Sequence, residues 1–191
     1  MKNFKWGTES FNSKPIYVVL FVSRNKDNKD VPDFKKRRMS FITHKSIDEL
    51  GHDFISFVNM GRKGEMSRMY YSVNERDGEK IYKELMHFLF DNPEFNLCSM
   101  GSKLAGIAAK KECAKTKKFM FDFDDSDADN LSLFLEDLEH YYGLDYRVYQ
   151  TPHGFAIVTE HGFDTRELLE KWKDVDLKRD DLLCVNWSKK G

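Results

Sequence analysis

Two aspartates stand inside the most apolar-looking strand segment of the chain, KKFMFDFD, residues 117–124. Because successive side chains of a strand point to opposite faces, the three phenylalanines share one face, and Asp122 and Asp124 share the other. The two backbone positions would lie about 6–7 Å apart. Carboxylates at that separation beside a hydrophobic body are unfavourable unless a cation lies between them. Mg²⁺ prefers hard oxygen ligands and is often held by one or two carboxylates together with phosphate oxygens. The segment therefore predicts a site for Mg²⁺ or Mn²⁺ at Asp122 and Asp124.

The acids that follow have a simpler interpretation. Asp125, Asp127 and Asp129 stand at the start of an amphipathic segment, residues 128–143. Carboxylates are favourable at a helix N-terminus because they accept hydrogen bonds from free N–H groups and meet the positive end of the helix dipole. Asp122 lies within the strand, so capping does not explain its position.

The elements that must position these acids are predicted from periodicity and turn signals. The predicted strands are 15–23, 68–78 with its turn, 118–124, 146–150, 155–160 and 182–187, and the predicted helices are 78–93, 102–118, 128–143 and 164–175. Their order indicates an α+β fold with a largely antiparallel sheet and helices packed on one face. Residues 1–67 are predicted to be an N-terminal extension that contributes a strand and basic loops. Residues 68–191 are predicted to form the core, within one compact domain.

Composition narrows the classes of protein. The chain has 191 residues, of which 40% are hydrophobic, so it can bury a sizeable core. Three widely spaced cysteines without a CxxC pair argue against a disulfide framework and a zinc site. The N-terminus lacks an apolar signal core, and no apolar run reaches the length of a membrane span. We therefore expect a cytoplasmic protein without a membrane partner, and a bacterial host cytoplasm if the chain is phage-encoded.

The net charge of −1 does not by itself indicate a nucleic-acid binder, so such a role must come from local patches. The candidates for binding nucleotide or nucleic acid are Arg62, Lys63, Arg68, Arg76, Lys110 and Lys111. The four consecutive bases at 35–38 end a charged segment that is either a solvated loop or a phosphate-contacting arm. Of Tyr70 and Tyr71, which alternate faces, one is expected in the core and the other could stack on a base.

Three stretches, in their order and spacing, resemble a known family. They are RMYYSVNERDG (68–78), FMFDFDD (119–125) and YQTPHGFAIVTE (149–160), and a further acidic stretch, DVDLKRDD, covers 174–181. The set is similar to the catalytic core of archaeo-eukaryotic primases and primase-polymerases. The resemblance implies an RRM-like core that uses nucleotides and nucleic acid, with replication proteins as partners. It also implies that Asp122 and Asp124 are catalytic metal ligands and that Asp176 is the third, with Asp174 as the alternative.

The chain departs from the family pattern in the third stretch. The family has a histidine after the aromatic residue of this hairpin, and that histidine contacts the phosphates of the incoming nucleotide. Here Phe155 matches the aromatic residue and Ala156 occupies the histidine position. The nearby imidazole is that of His153, which is either a phosphate-binding substitute or an exposed turn residue.

Three functions follow from these observations. The first is a metal-dependent nucleotidyl transferase of primase-polymerase type. The second is a catalytically degenerate core that binds nucleotide, nucleic acid or a protein partner, such as a phage-type accessory or counter-defence protein. The third is a phosphatase of the haloacid-dehalogenase kind, with Asp122 as nucleophile and Asp124 as acid, which requires a parallel sheet.

Overall fold

A computed structural model describes residues 14–124, 127–143 and 145–191, and it confirms an α+β fold. The predicted capping residue Asp125 lies outside the described residues. The strands are β1 (Tyr17–Ser23), β2 (Arg37–Thr43), β3 (Met66–Ser72), β4 (Phe119–Phe123), β5 (Tyr146–Thr151), β6 (Gly154–Thr159), β7 (Val175–Lys178) and β8 (Leu182–Lys189), and the α-helices are α1 (Gly51–Asn59), α2 (Gly78–Asp91), α3 (Met100–Ala108), α4 (Ala128–Tyr142) and α5 (Arg166–Lys171). No helix within these ranges is both long enough and apolar enough to cross a bilayer.

The strands form two antiparallel sheets rather than the single sheet expected from the sequence. The first has the order β2-β1-β3-β8, and the second has the order β5-β6-β4-β7. The predicted boundary between residues 67 and 68 falls inside β3, which pairs with β1 on one side and β8 on the other. The N-terminal segment and the end of the described chain therefore share one sheet.

Each sheet is covered by helices because its strands carry apolar side chains at alternate positions. In the first sheet, Val19 and Phe21 pack with Phe54 of α1, while Val18 packs on the other face with α2 and α3. In the second sheet, β4 packs against α4 and α5. A smaller apolar cluster joins the two sheets and contains Met120, Ala156, Val158 and Leu183.

Two predicted elements differ from the structure, and both differences come from tertiary pairing. The charged segment at 24–38 does not remain a loop, because its last two residues begin β2, which pairs with β1 along its whole length. The basic helix predicted for 102–118 ends at Ala108. Beyond it, Ala114 forms a β-bridge with Arg76, and the Lys115 N–H donates to the Glu75 carbonyl. These contacts require an extended backbone, which outweighs the helical propensity of the segment.

Helix α4 begins and ends as the sequence predicted. The Asp127 side chain accepts a hydrogen bond from the Asp129 N–H at 2.9 Å, which identifies Asp127 as the N-cap. Gly143 ends the helix in the left-handed region, with φ of 54°. Residues near the acidic strand therefore include at least one aspartate with a purely structural role.

We expect Gly162→Ala to destabilise the protein by about 1–3 kcal/mol, as overpacking does in other cores. A Cβ at residue 162 would lie 2.6 Å from the Phe119 ring, and that ring packs against the core of the second sheet. Gly106→Ala is the control, since nothing lies within 4 Å of its added Cβ and alanine stabilises a helix interior by about 0.5–1 kcal/mol. Urea unfolding measures both. Equal effects of the two substitutions would contradict the close packing at Gly162.

Candidate functional site

Strand β4 separates its side chains as the alternation predicted. Phe121 and Phe123 are buried in the core of the second sheet, against Phe134 of α4. Met120 lies on the opposite face, in the cluster between the sheets. Asp122 shares that face and is half-buried. Burial of the phenylalanines thus fixes the direction of the carboxylate.

Asp122 lies in a row of three side chains that crosses the second sheet. In the antiparallel register it is opposite Ala156 on β6 and Asp176 on β7. Residues directly opposite each other have Cβ atoms about 5 Å apart and point to the same face. The structure therefore brings Asp176 beside Asp122, while Asp174 precedes β7. We call Asp122, Asp124 and Asp176 the acid face.

The ionised carboxylate of Asp122 is electrostatically unfavourable in its position. Burial raises the pKa of Asp122, and the charge of Asp124 raises it further. Lys178 opposes these effects only in part. Within the described residues, no side chain donates a hydrogen bond to the carboxylate of Asp122 or Asp124. Asp176 differs, because it accepts a hydrogen bond from Lys178 Nζ at 2.8 Å and is 76% exposed.

A cleft between the two sheets lies in front of Asp122 and Asp124, whereas Asp176 lines neither of its two cavities. Asp122 and Asp124 line one wall of a cavity of about 240 Å³, and Arg24, Arg68 and His153 also line it. An adjoining cavity of about 380 Å³ contains Asp122 again, together with exposed bases at the start of β2, Lys36 and Arg38. Negative and positive groups thus line the same two connected spaces, which we call the cleft.

Tyr70 lies in both cavities of the cleft, whereas Tyr71 is buried in the core of the first sheet. The Tyr71 hydroxyl donates to the Lys45 carbonyl at 2.9 Å, which satisfies its polar end. Of these two tyrosines, Tyr70 is thus the one that faces the cleft, and a β-bulge lies between Met69 and Tyr70 in the strand. Bulges often re-aim side chains beside functional sites.

His153 and Ala156 line the same cavity, although they enter it from different positions. Ala156 lies beside Asp122 in the middle of the sheet and is buried. His153 is exposed at the turn between β5 and β6, and its Nε2 is 3.2 Å from Arg68 Nη2. An imidazole is therefore present in the cleft, at its end and beside a guanidinium rather than beside the acid face.

Of the six bases predicted individually, Arg68 is the one that lines the cleft, together with His153, and two bases of the run at 35–38, Lys36 and Arg38, line it as well. Arg76 is an interior residue, 1% exposed, whose guanidinium pairs with Asp180. Its predicted contact with nucleic acid is not supported because the side chain does not reach the surface. The other four predicted bases are exposed but do not line the cleft: Arg62 and Lys63 follow α1, and Lys110 and Lys111 follow α3, where Lys110 pairs with Glu84.

The donor set of the acid face fits a hard divalent cation with few protein ligands. Among residues 14–124, 127–143 and 145–191, no three His, Cys, Asp or Glu side chains are grouped closely enough to hold a metal ion. Asp122 and Asp124 alone supply two carboxylates, one of which burial and like charge make unfavourable when ionised. This matches the way Mg²⁺ binds through one or two carboxylates and completes its shell with water and phosphate oxygens.

Sequence reasoning missed four residues of this site. Arg24 and Lys26 follow β1 and line the cleft, Asp27 pairs with Arg68, and Lys178 is the cation next to Asp176. A signal was present for the first two, because charged residues directly after a buried strand lie at the edge of its sheet. Lys178 follows Asp176 by two residues on β7, so the sequence could have placed both side chains on the same face. No local signal identified Asp27, whose partner Arg68 is 41 residues away.

Comparison with known proteins adds no relative to this picture. Neither the family models, nor the curated proteins, nor the solved structures contain a match to this chain. The function must therefore be argued from the acid face and the cleft themselves.

Proposed function

We propose that the protein is a metal-dependent nucleotidyl transferase of primase-polymerase type that acts on nucleic acid. The observation that carries the proposal is the half-buried carboxylate of Asp122, which lies beside Asp124 without a hydrogen-bond donor from the described residues. It faces a cleft that Arg24 and Arg68 also line. Adjacent acids opposed by cations suit a ligand that brings both divalent metal and phosphate.

In the proposed reaction, a 3′-hydroxyl gives up its proton to water and attacks the α-phosphorus of a nucleoside triphosphate in line. The new phosphodiester bond forms as the bond to pyrophosphate breaks. Bound Mg²⁺ or Mn²⁺ would supply charge stabilisation to this phosphoryl transfer. Asp122 and Asp124 would hold such ions through their carboxylate oxygens, and Asp176 would add a third carboxylate in place of its ion pair with Lys178. Arg24 and Arg68 neutralise the triphosphate, and Tyr70 offers a ring against which a base can stack.

The exposed bases Lys36 and Arg38 line the second cavity of the cleft, next to β2, and Arg24 lines it as well. Neither Lys36 nor Arg38 forms an ion pair with a described carboxylate, so both remain available to phosphates. These bases support a polynucleotide rather than a nucleotide alone as part of the substrate, because phosphate contacts along a strand need cations beyond the reaction centre.

The direct test is nucleotidyl transfer by the purified full chain. We expect labelled product from nucleoside triphosphates with Mn²⁺ or Mg²⁺ and a primed or unprimed template, and no product in EDTA. Deoxynucleotides and ribonucleotides are supplied in separate reactions to define the sugar. Absence of product under conditions where a known primase is active would contradict the proposal.

A second candidate is a core of the same kind that binds nucleotide or nucleic acid without catalysis, as an accessory or counter-defence protein. Two observations favour it: Ala156 stands beside Asp122 where the family has histidine, and Asp176 is engaged by Lys178. Mn²⁺ titration separates the candidates, since an inert core needs no metal at Asp122 and Asp124. The phosphatase alternative has no such support, because β4 has antiparallel neighbours on both sides.

A further inference from the structure

One carboxylate outside the acid face holds two cations of the cleft together. Asp27 Oδ2 accepts hydrogen bonds from Arg24 Nε at 2.8 Å and from Arg68 Nε at 2.9 Å. Asp27 Oδ1 accepts from Arg24 Nη2 at 3.1 Å and from Arg68 Nη2 at 2.6 Å. Each guanidinium thus binds the same carboxylate through two N–H groups, which fixes its plane as well as its position.

Two of these three side chains are shielded from water, while that of Arg24 is 33% exposed. The side chains of Asp27 and Arg68 are each 7% exposed. Burial acts to raise the pKa of Asp27, but the hydrogen bonds from Arg24 and Arg68 outweigh it and hold that pKa below its ordinary value. Two guanidiniums at this separation would repel each other without an anion between them. Their side-by-side placement therefore depends on Asp27.

Asp27 can reach a ligand of the cleft only through the two arginines. Arg24 and Arg68 line the cavity that contains Asp122 and Asp124, whereas Asp27 lines a different cavity, of about 200 Å³. Each arginine donates to Asp27 through Nε and Nη2. The N–H groups on Nη1 do not take part in these bonds and can donate to a ligand. Arg68 Nη2 is also within 3.2 Å of His153, so the orientation set by Asp27 extends to the imidazole.

We propose that Asp27 is a positioning residue that orients Arg24 and Arg68 toward adjacent phosphate groups of a polyphosphate. The inference rests on the proposed function, which places a triphosphate in this cleft. Because Asp27 is itself negative, it weakens the attraction of the arginine pair for any anion. Asp27 instead fixes the orientation of the two guanidiniums. Its effect must therefore appear in the ratio of affinities for two anions of different shape, and not only in the affinity for either one.

The test compares two anions of similar charge but different shape, pyrophosphate and citrate, by calorimetry with the metal-free protein in EDTA. We expect the wild type to prefer pyrophosphate. Asp27→Asn should bind both anions more tightly while its preference for pyrophosphate falls about tenfold, since charge-assisted bidentate contacts carry the geometric selection. Asp27→Glu keeps the charge and shifts the carboxylate by one methylene, so it should lose the preference without gaining affinity.

Asp30→Asn is the matched control, because it removes one exposed carboxylate from the same segment. It should leave the preference unchanged. The proposal is overturned if the wild type does not discriminate between the anions, or if both Asp27 variants retain its preference. It is also overturned if affinity for both anions falls together with the melting temperature, since Asp27 is then a structural residue only. Because no metal or turnover is involved, failure of nucleotidyl transfer leaves this result interpretable.

Discussion

Asp122→Asn is expected to abolish nucleotidyl transfer and, at the same time, to raise the melting temperature of the metal-free protein. Loss of transfer follows because a catalytic ion supplies several kcal/mol of charge stabilisation, and each 1.4 kcal/mol is tenfold, so the rate should fall about a thousandfold or more. The gain in stability follows from the acid face itself. Burial and the neighbouring charge of Asp124 both disfavour the ionised Asp122 carboxylate, and a neutral amide of the same shape removes that cost.

The pH dependence has a definite sign. The pKa of Asp122 in the folded protein lies above its ordinary value. Its contribution to stability is therefore complete below the pKa of an unfolded aspartate, about 3.9, and is lost as pH rises through the higher folded value. At pH 7 the ionised carboxylate destabilises the metal-free fold. The melting temperature of Asp122→Asn should thus exceed that of the wild type at pH 7, and the difference should shrink toward pH 4.

Metal completes the comparison. Mn²⁺ should raise the melting temperature of the wild type, because a ligand that binds the folded state stabilises it, and it should leave Asp122→Asn unchanged. Glu136→Gln, on the exposed side of α4, serves as the control for loss of one acid. Equal transfer by wild type and Asp122→Asn would show that the site is misassigned. If metal-free Asp122→Asn melts below the metal-free wild type, the ionised Asp122 carboxylate does not destabilise the fold.

The second large effect is expected in the interior, at the ion pair of Arg76 and Asp180. Arg76 Nη1 donates to Asp180 Oδ2 at 2.8 Å, and Asp180 Oδ1 accepts from Asn74 Nδ2 at 3.2 Å. Arg76 Nε is the only buried side-chain nitrogen or oxygen of the described residues without a hydrogen bond. The pair is therefore incompletely satisfied already, and removal of one partner leaves a buried charge.

Arg76→Met and Asp180→Ala should each lower the free energy of unfolding by about 3–5 kcal/mol, as loss of one partner of a buried pair does. The double variant should cost less than the sum, since it leaves neither charge alone. Urea unfolding of the four proteins gives the coupling energy. Additive costs, or a loss below about 1 kcal/mol for Arg76→Met, would show that the pair is solvated and that Arg76 is free for another role.

The contrast between Arg68 and Arg76 shows where sequence reasoning stops. The alternation of β4 is local, so the sequence predicts that Phe121 and Asp122 face opposite ways. The expectation that Asp176 joins Asp122 came from the family resemblance, with Asp174 as the alternative, and the register that places Asp176 opposite Asp122 is known only from the structure. Local sequence does not determine which arginine lines the cleft, because the position of each guanidinium depends on a carboxylate far away in the sequence. Asp180, 104 residues away, engages Arg76 in the interior.

The run of bases at 35–38 illustrates the same limit. Arg37 points away from the cleft and forms an ion pair with the buried Glu65. Its Nη1 donates a hydrogen bond to the Phe57 carbonyl. Its neighbours Lys36 and Arg38 line the cleft. Once β2 is known to be a strand, the alternation explains this division. From the sequence alone these bases ended a charged segment that was either a solvated loop or a phosphate-contacting arm, since no nearby signal indicated the pairing of β2 with β1.

The place of β8 has a consequence for how the chain assembles. Strand β8 pairs with β3, although the whole second sheet lies between them in sequence. During synthesis, β3 therefore remains an open edge until residues beyond 180 emerge, and an unpaired edge is a template for wrong partners. Closure of such distant pairs is slow because a long loop must first be ordered. The first sheet to begin is thus the last to be completed, and the cleft forms only when it closes.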